Sequence, residues 1–201
     1  KEFIKADLEQ SNSEHCRHHF FNGDIILNHK KMKSLFELVK EPIKNYSHNS
    51  LIRFSDNSSS INGYHVSNMI VKYNKYVIQK DLLHFVLTAE THNFPTGIEP
   101  FSGAATGIGK RIRNIQATGR GAIPIASSAG YCVGELFTKT DYPENIALPT
   151  KILIEASNGA SDYGNKFGEP IILGFTRSFK TIDNENQRWE WVKPIMFTSG
   201  I

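Results

Sequence analysis

The side chains whose types and spacing could do chemistry lie in residues 90–122, which read ETHNFPTGIEPFSGAATGIGKRIRNIQATGRGA. This segment places an acid, a histidine and an amide before a proline turn, then a Gly/Ala-rich turn, then a basic stretch with two further glycines. Most of its residues are glycine, small or polar, which is costly in backbone entropy unless something must approach the main chain closely. The ligand that we expect is a phosphate.

The sequence AETHNFP predicts a carboxylate that is presented to a cation. Glu90 stands at the expected end of a strand, and Pro95 fixes the turn that follows. Hard cations prefer carboxylate oxygens, so we expect Glu90 to face Mg²⁺ and to leave His92 and Asn93 for substrate. The competing interpretation is an ordinary transition from strand to loop.

The segment from Gly103 to Asn114, GAATGIGKRIRN, predicts a turn that enters a helix. It is not the lysine-terminated P-loop, because no GK[ST] sequence closes it. Small residues at a helix N-terminus, followed by Lys110, Arg111 and Arg113, would form a cradle for anionic oxygens. A glycine-rich loop alone is weak evidence for that function.

Three histidines lie close together in SNSEHCRHHFFNG, residues 11–23. His15 and His19 are four residues apart and would share a helix face, so a zinc pair is one interpretation. However, Glu14 precedes the first histidine, whereas zincins place the acid directly after it. Contact of His15 and Arg17 with phosphate or substrate is favoured, because the planar fork of arginine suits anionic oxygens. A solvated helix face is the third interpretation.

A further glycine-rich stretch, EASNGASDYGNKFGEP, covers residues 155–170. Its three glycines alternate with polar and charged residues, which makes a loop that is costly to order without a ligand or a partner surface. A packed turn between domains explains the pattern equally well.

Composition limits the function classes. The 201 residues are 39% hydrophobic, enough for one core, so we expect one domain with or without an arm. A net charge of +3 is too small for a surface that binds duplex nucleic acid, and it favours a local basic pocket for an anionic small molecule. No apolar run approaches the roughly 20 residues that span a bilayer, and residues 1–10 are charged rather than signal-like. We therefore expect no membrane or nucleic-acid partner.

The two cysteines, Cys16 and Cys132, lie far apart and have no metal-type spacing. This favours a reducing, cytoplasmic compartment, with a single disulfide as the alternative. The chain begins with Lys1 rather than Met, and we expect it to be an internal piece of a longer protein.

The periodicity predicts more strands than helices. Helices are expected over residues 7–21 and 31–40, the second stopped by Pro42. Short β-rich runs predict strands over 51–54, 69–73, 85–89, 151–155, 171–177 and 189–197. Residues 123–136 are predicted as strands of small residues with a turn at 128–130, residues 157–168 as a turn or helix, and residues 45–50 and 55–63 as loops. The fold class is therefore α/β or α+β, a mixed sheet with helices on one face.

Four segments in one order resemble the large, multidomain form of phosphoribosylformylglycinamidine synthase, or formylglycinamide ribonucleotide amidotransferase, of purine biosynthesis. They are SNSEHCRHHFFNG, AETHNFPTGIEPFSGAATGIG, ATGRGA and NGASDYGNKFGEP, and matching stretches run from about Glu9 to the C-terminal KPIMFTSGI. The resemblance implies a helical arm over residues 1–22 and a domain over residues 23–201. That domain is expected to be similar to the N-terminal domain of aminoimidazole ribonucleotide synthetase, a mixed sheet flanked by helices that pairs with a second copy of itself.

The resemblance implies a ligase that uses ATP and Mg²⁺. In the family's reaction, ATP phosphorylates the formamide oxygen of formylglycinamide ribonucleotide, and ammonia from glutamine then attacks the iminophosphate to leave an amidine. The whole enzyme holds two synthetase halves and a glutaminase domain, which are the expected partners of this chain. The alternative for the isolated chain is a non-catalytic nucleotide-binding or assembly module that self-associates through an exposed sheet face.

The resemblance also implies roles for individual residues. His15 matches the active histidine of the SEHC motif, His92 the proposed proton acceptor, and His18 an ATP contact. Glu90 and Asn114 match Mg²⁺ ligands. The implied substrate-binding residues are Thr91, His92, Asn93, Phe94 and Arg113. The implied ATP-binding residues are His18, Gly103, Ala104, Ala105, Thr106, Gly107, Ile108, Gly109, Lys110, Arg111, Ile112, Arg113 and Asn114.

The chain departs from the family pattern at Lys110 and Asn114. The family carries Gly-Gly where this chain has Gly109 and Lys110, and it has Asp where this chain has Asn114. An amide offers one neutral oxygen in place of a carboxylate, so a Mg²⁺ at Asn114 would be held less tightly. Direct contact of Lys110 with phosphate is the expected compensation.

Overall fold

A computed structural model describes residues 20–46, 49–118, 121–137 and 142–201. The predicted helix over residues 7–21 and the arm over residues 1–22 lie outside the described residues, except for a helical turn at residues 20–22. His15, Arg17, His18 and His19 are therefore not placed, and the zinc interpretation of this segment stays untested.

The chain forms ten strands and four helices within these described ranges. The strands are β1 (Ile25–Leu27), β2 (Lys30–Met32), β3 (Ser50–Ile52), β4 (Ser58–Lys72), β5 (Lys75–Thr91), β6 (Ser127–Val133), β7 (Ile171–Ser178), β8 (Lys180–Ile182), β9 (Arg188–Glu190) and β10 (Ile195–Gly200). The helices are α1 (Leu35–Asn45), α2 (Asn93–Ile98), α3 (Pro100–Gln116) and α4 (Pro149–Phe167). None of these helices is long and apolar enough to cross a membrane.

Six strands form one mixed sheet in the order β3-β4-β5-β10-β6-β7. Neighbours are antiparallel except β6 and β7, which run parallel and are joined by the crossover helix α4. The strand pairs β1-β2 and β8-β9 form two small separate sheets. This architecture confirms the predicted fold class.

Helices α3 and α4 cover one face of the sheet and form the core with it. The buried core side chains include Ala104, Ile108, Ile112, Tyr131, Val133, Ile152, Ala156 and Met196. The two helices approach closely because of glycines at their contact. A Cβ at Gly159 would collide with the carbonyl oxygen of Phe101, and a Cβ at Gly109 would lie 2.8 Å from the ring of Tyr163. The glycine-rich segment 155–170 is thus mostly a packed helix rather than a loop.

The opposite face of the sheet, which we call the open face, carries apolar side chains that no described element covers. Its exposed members are Ile61, Tyr64, Leu83, Phe85, Leu87, Leu173 and Phe175. Strands β4 and β5 form a hairpin whose two turn residues, Tyr73 and Asn74, both have positive φ. Such a two-residue turn matches the right-handed twist of paired strands. The far end of this hairpin exposes both of its faces.

Several predicted elements are correct in type but wrong in extent. The strands predicted at residues 69–73 and 85–89 are the ends of much longer strands. The predicted loop at residues 55–63 contains the start of β4, because Ser58 and Ser60 face the helices and donate hydrogen bonds to the carbonyl oxygens of Asn114 (3.2 Å) and Phe85 (3.0 Å). The helix predicted over 31–40 begins later, where Ser34 forms a capping box with Glu37, and it continues through Pro42 to Asn45 instead of stopping at that proline.

Other predicted elements are wrong in type. Residues 151–155 form the start of α4 rather than a strand, since Ile152 and Ala156 face the core while Ile154 is exposed. The turn predicted at 128–130 is part of β6, and the glycine there lies under the ring of Phe175. The strand predicted over 189–197 is divided between β9 and β10. The strands predicted over 51–54 and 171–177 are placed nearly as predicted, as β3 and β7.

Candidate functional site

Glu90 lies at the centre of a three-residue cluster on the helix-covered side of the sheet. It pairs with Thr198 of β10, whose side chain is buried beneath the helices. Asn114 Nδ2 donates to Glu90 Oε1 at 2.6 Å, and Lys110 Nζ lies 3.3 Å from Glu90 Oε2. Both carboxylate oxygens therefore face nitrogen donors of α3.

The spacing of the cluster follows from the geometry of α3. Lys110 and Asn114 are four residues apart, so they lie one above the other on one helix face. Asn114 is buried, and its backbone carbonyl accepts the hydrogen bond from Ser58. The Lys110 side chain is 48% exposed and that of Glu90 only 15% exposed. The cluster thus has one fixed donor, one movable cation and a carboxylate that solvent reaches from one side.

His92 precedes α2 and is held by three hydrogen bonds. Its backbone N–H donates to the carbonyl of Met196 (2.9 Å), and its own carbonyl accepts from Thr96 Oγ1 (2.6 Å). Its Nδ1 lies 2.6 Å from the carbonyl oxygen of Gly103, which can only accept. Nδ1 must therefore carry a proton, and of the two neutral tautomers this leaves the one in which Nε2 is the proton acceptor.

The other residues of the ETHNF turn divide between structural and exposed positions. Asn93 Oδ1 accepts a hydrogen bond from the backbone N–H of Met196 at 2.9 Å, which ties the turn to β10. Thr91 pairs with Phe197 and so lies on the face opposite to Glu90. Phe94 is exposed. The structure thus brings Glu90 and His92 to one side and places Thr91 on the other.

The prediction that Gly103 marks a turn entering a helix is wrong, because α3 already begins at Pro100. The small residues serve close packing instead of a phosphate cradle at the helix N-terminus. A Cβ at Gly103 would lie 2.5 Å from the backbone nitrogen of Thr96, and a Cβ at Gly107 would lie 2.8 Å from Met196 Sδ.

The side chains of the predicted ATP-binding segment fall into three groups. Ala104, Ile108 and Ile112 are buried in the core. Thr106, Lys110 and Arg113 are exposed, while Ala105 and Gly109 are half-buried. Arg111 and Asn114 are buried but polar.

Arg111 points into the interior and pairs with Glu169, which is not among the residues predicted for the site. Arg111 is 0% and Glu169 1% exposed, and Arg111 Nη2 contacts Glu169 Oε2. Arg111 Nε, Arg111 Nη1 and Glu169 Oε1 have no hydrogen-bond partner among the described residues. The pair joins α3 to the segment that follows α4.

Glu169 is positioned by the end of α4. Gly168 has a φ of 88°, its N–H donates to the carbonyl of Asn165, and the N–H of Glu169 donates to that of Gly164. This is the Schellman arrangement that ends many helices. The sequence signal is Gly168, which predicts where α4 ends, whereas the inward direction of Glu169 depends on its pairing with Arg111 of α3.

Glu90 and Asn114 offer few oxygen ligands, so they suit a metal ion whose remaining ligands come mostly from phosphate. Among the described residues there is no group of three or more His, Cys, Asp or Glu side chains that could hold a metal. Mg²⁺ is commonly bound by one or two carboxylates together with substrate phosphates and water. Glu90 fits that role, and Asn114, whose Nδ2 points at Glu90, keeps Oδ1 as an oxygen donor.

Residues 73–188 match the family model of AIR synthase related protein, N-terminal domain. This span covers more than half of the chain and includes Glu90, His92, α3 and α4. The chain belongs to this family. The Glu90 cluster is therefore part of an AIR synthase related domain.

Two relatives confirm the resemblance that the motifs carry. The AIR synthase related chain is 51% identical over 210 residues to phosphoribosylformylglycinamidine synthase of Dictyostelium discoideum, and 49% identical to that of Homo sapiens. Each match covers 97% of this chain but only 16% of the relative. Among solved structures, T. maritima PurL complexed with ADP is 22% identical with a TM-score of 0.43, over 79% of this chain and 20% of that one.

Proposed function

We propose that this chain is part of the first synthetase half of a phosphoribosylformylglycinamidine synthase. The parent protein would be an ATP-dependent carbon–nitrogen ligase that converts formylglycinamide ribonucleotide, glutamine and ATP to formylglycinamidine ribonucleotide, glutamate, ADP and phosphate. The identity of 51% over nearly the whole chain supports the assignment. The observation that carries it is the cluster of Glu90, Lys110 and Asn114. His92, whose tautomer is fixed by its hydrogen bond to Gly103, follows Glu90 closely in the sequence.

The cluster suits phosphoryl transfer, in which catalysis is mostly positioning and charge stabilisation. In this proposal Glu90 and Asn114 Oδ1 hold a Mg²⁺ ion, which supplies positive charge to the phosphate oxygens. Of the segment 103–114, the exposed Thr106, Lys110 and Arg113 contact the nucleotide directly, and the buried members keep α3 in place.

His92 is the proposed proton acceptor. The carbonyl of Gly103 fixes the proton on Nδ1, so Nε2 is ready to take a proton from the substrate side without a change of tautomer. Asn93, Phe94 and Arg113 complete the proposed substrate contacts. Thr91, expected from the resemblance to bind substrate, lies on the opposite face of the sheet and is not included among them. His15 and His18 keep their proposed roles as catalytic residue and ATP contact.

The decisive experiment is Glu90→Gln in the full-length parent protein. Gln keeps the size and loses the negative charge, so turnover should fall and the Mg²⁺ concentration for half-maximal rate should rise. Glu155→Gln is a suitable control, because Glu155 lies on α4 in an exposed pair with Lys151. Unchanged Mg²⁺ dependence in Glu90→Gln would refute the metal assignment.

A second candidate function applies to the chain in isolation, a non-catalytic nucleotide-binding or assembly module. The open face favours it, because uncovered apolar sheet surface marks an interface. In the parent this face would pack against the remaining synthetase and glutaminase domains. The isolated chain should instead self-associate, which sedimentation over a range of concentrations would detect. Ammonia-dependent ADP formation with and without the remaining chain separates the two functions.

We also propose that the parent acts in the cytoplasm without a nucleic-acid partner. Cys132 is a buried free thiol, which suits a reducing compartment. The net charge of +3 supports a small anionic ligand rather than a duplex.

A further inference from the structure

Lys110 places a cation on the same carboxylate that the proposed function gives to a metal. Lys110 Nζ lies 3.3 Å from Glu90 Oε2, while Asn114 Nδ2 occupies Oε1 at 2.6 Å. A Mg²⁺ ion binds oxygen at about 2.0–2.1 Å. An ammonium group and a divalent cation on one oxygen repel each other, so each weakens the binding of the other there.

The two donors on Glu90 differ in how easily they can leave. Asn114 is buried, and its helix position is tied to β4 through the hydrogen bond from Ser58. Lys110 is half exposed and its charge sits on a flexible four-carbon stem. Glu90 Oε2 is therefore the oxygen that a metal can reach, and Lys110 is the donor that can move aside more easily.

We propose that Lys110 and a divalent cation exchange places on Glu90 Oε2. In the metal-free site Lys110 neutralises Glu90 and holds its rotamer. When the metal binds, Lys110 swings outward into the space where the nucleotide phosphates would lie. The identity of the cation as Mg²⁺ and of the phosphate as that of ATP rests on the proposed function.

The exchange has two measurable consequences. In the absence of nucleotide, the metal must break the Lys110–Glu90 pair and then bind next to the displaced positive charge. The affinity of the site for metal is therefore lower than it would be without that charge. A nucleotide offers the displaced Lys110 a new partner, so metal and nucleotide strengthen each other's binding reciprocally. Without a positive charge at position 110, the site would bind metal more tightly in the absence of nucleotide, and nucleotide would increase the metal affinity by a smaller factor.

The test uses Mn²⁺ as the probe, with free Mn²⁺ measured by electron paramagnetic resonance on the full-length parent with and without ADP. Lys110→Met removes the charge and keeps an apolar stem. It should bind Mn²⁺ alone about three- to tenfold more tightly, as expected for loss of a partly exposed ion pair and a nearby repulsive charge. The enhancement of Mn²⁺ affinity by ADP should shrink by a similar factor. Lys110→Arg keeps the positive charge, so its affinity for Mn²⁺ should stay closer to that of the unaltered protein than the affinity of Lys110→Met does.

Two further variants distinguish a failure of the proposed exchange from a failure of the proposed function. Lys151→Met is the matched control, an exposed lysine of α4 with a glutamate partner at 3.9 Å, and it should change nothing. Glu90→Gln defines the Mn²⁺ binding that belongs to this site. Unchanged or weaker Mn²⁺ binding in Lys110→Met, with a clear loss in Glu90→Gln, would overturn the exchange and leave the proposed function standing. Full Mn²⁺ binding in Glu90→Gln would overturn both.

Discussion

Replacing Glu169 with Leu leaves the guanidinium of Arg111 buried without its counter-charge. Both side chains are almost fully inaccessible, so water cannot take over the lost interaction. Arginine cannot relieve the strain by losing its proton. Breaking a buried pair in this way costs about 3–5 kcal/mol of unfolding free energy. For a chain of this length, a loss of about 4 kcal/mol lowers the melting temperature by roughly 8–16 °C.

The structure also predicts a ranking among variants of this pair. Arg111→Met should cost less than Glu169→Leu, because the carboxyl left behind can take up a proton and become neutral. The double variant with Met and Leu should recover most of the stability, since two well-packed apolar side chains often replace a buried ion pair without loss. The two single effects would then be strongly non-additive.

Urea unfolding of the 201-residue chain, followed by circular dichroism, measures these differences. With an m-value of about 2 kcal/mol/M, Glu169→Leu should lower the midpoint by roughly 1.5–2.5 M. Asp162→Asn is the matched control, because it breaks an exposed pair with Lys166 and should change stability by less than about 1 kcal/mol. Two results would refute the reasoning. One is an unfolding free energy of Glu169→Leu within about 1 kcal/mol of that of the unaltered chain. The other is a double variant that is no more stable than Glu169→Leu.

Two further predictions concern the full-length parent. Asn114→Asp would bring a second carboxylate to the position from which the Asn114 amide donates to Glu90 at 2.6 Å. A titration should then show tighter Mg²⁺ binding, because the metal gains a charged ligand. The metal-free protein should have a lower melting temperature, because the two carboxylates repel each other. A fall in nucleotide affinity instead would mean that the new Asp pairs with Lys110, and no change in either affinity would place Asn114 outside the site. His92→Ala should reduce turnover at least about tenfold through loss of the proton acceptor. A normal rate in that variant, with an unchanged melting temperature, would remove His92 from the chemistry.

The sequence was sufficient for the fold class and for the position of Glu90. Glu90 follows a β-rich run and precedes a proline, so its place at a strand end could be predicted from local pattern alone. The β-rich run over residues 171–177 was placed nearly correctly for the same reason. The extent of β4 could not be predicted, because its serines are polar and their burial depends on α3, which is distant in sequence.

The role of the small residues in α3 also required the structure. Glycine allows either a phosphate or a neighbouring element to approach the main chain. Here Met196 and Tyr163 occupy that space, and neither is close in sequence. The run at Ile152 was mistaken for a strand because a short apolar run has no decisive period. Glu169 was missed since nothing local shows that an acid after a glycine turns inward.

The length of β5 links two distant parts of the molecule. Its 17 residues extend over about 55 Å, from the exposed hairpin turn to Glu90. A hydrogen-bonded strand resists changes in its length. We therefore expect a displacement of the hairpin tip along the strand direction to shift the backbone at Glu90 by a similar distance. Bending should instead be absorbed where the β4–β5 register shifts between Ile61 and Tyr64. A crosslink that fixes the hairpin tip should therefore change hydrogen exchange of the Glu90 amide more than exchange of the amides of β3, which pairs with β4.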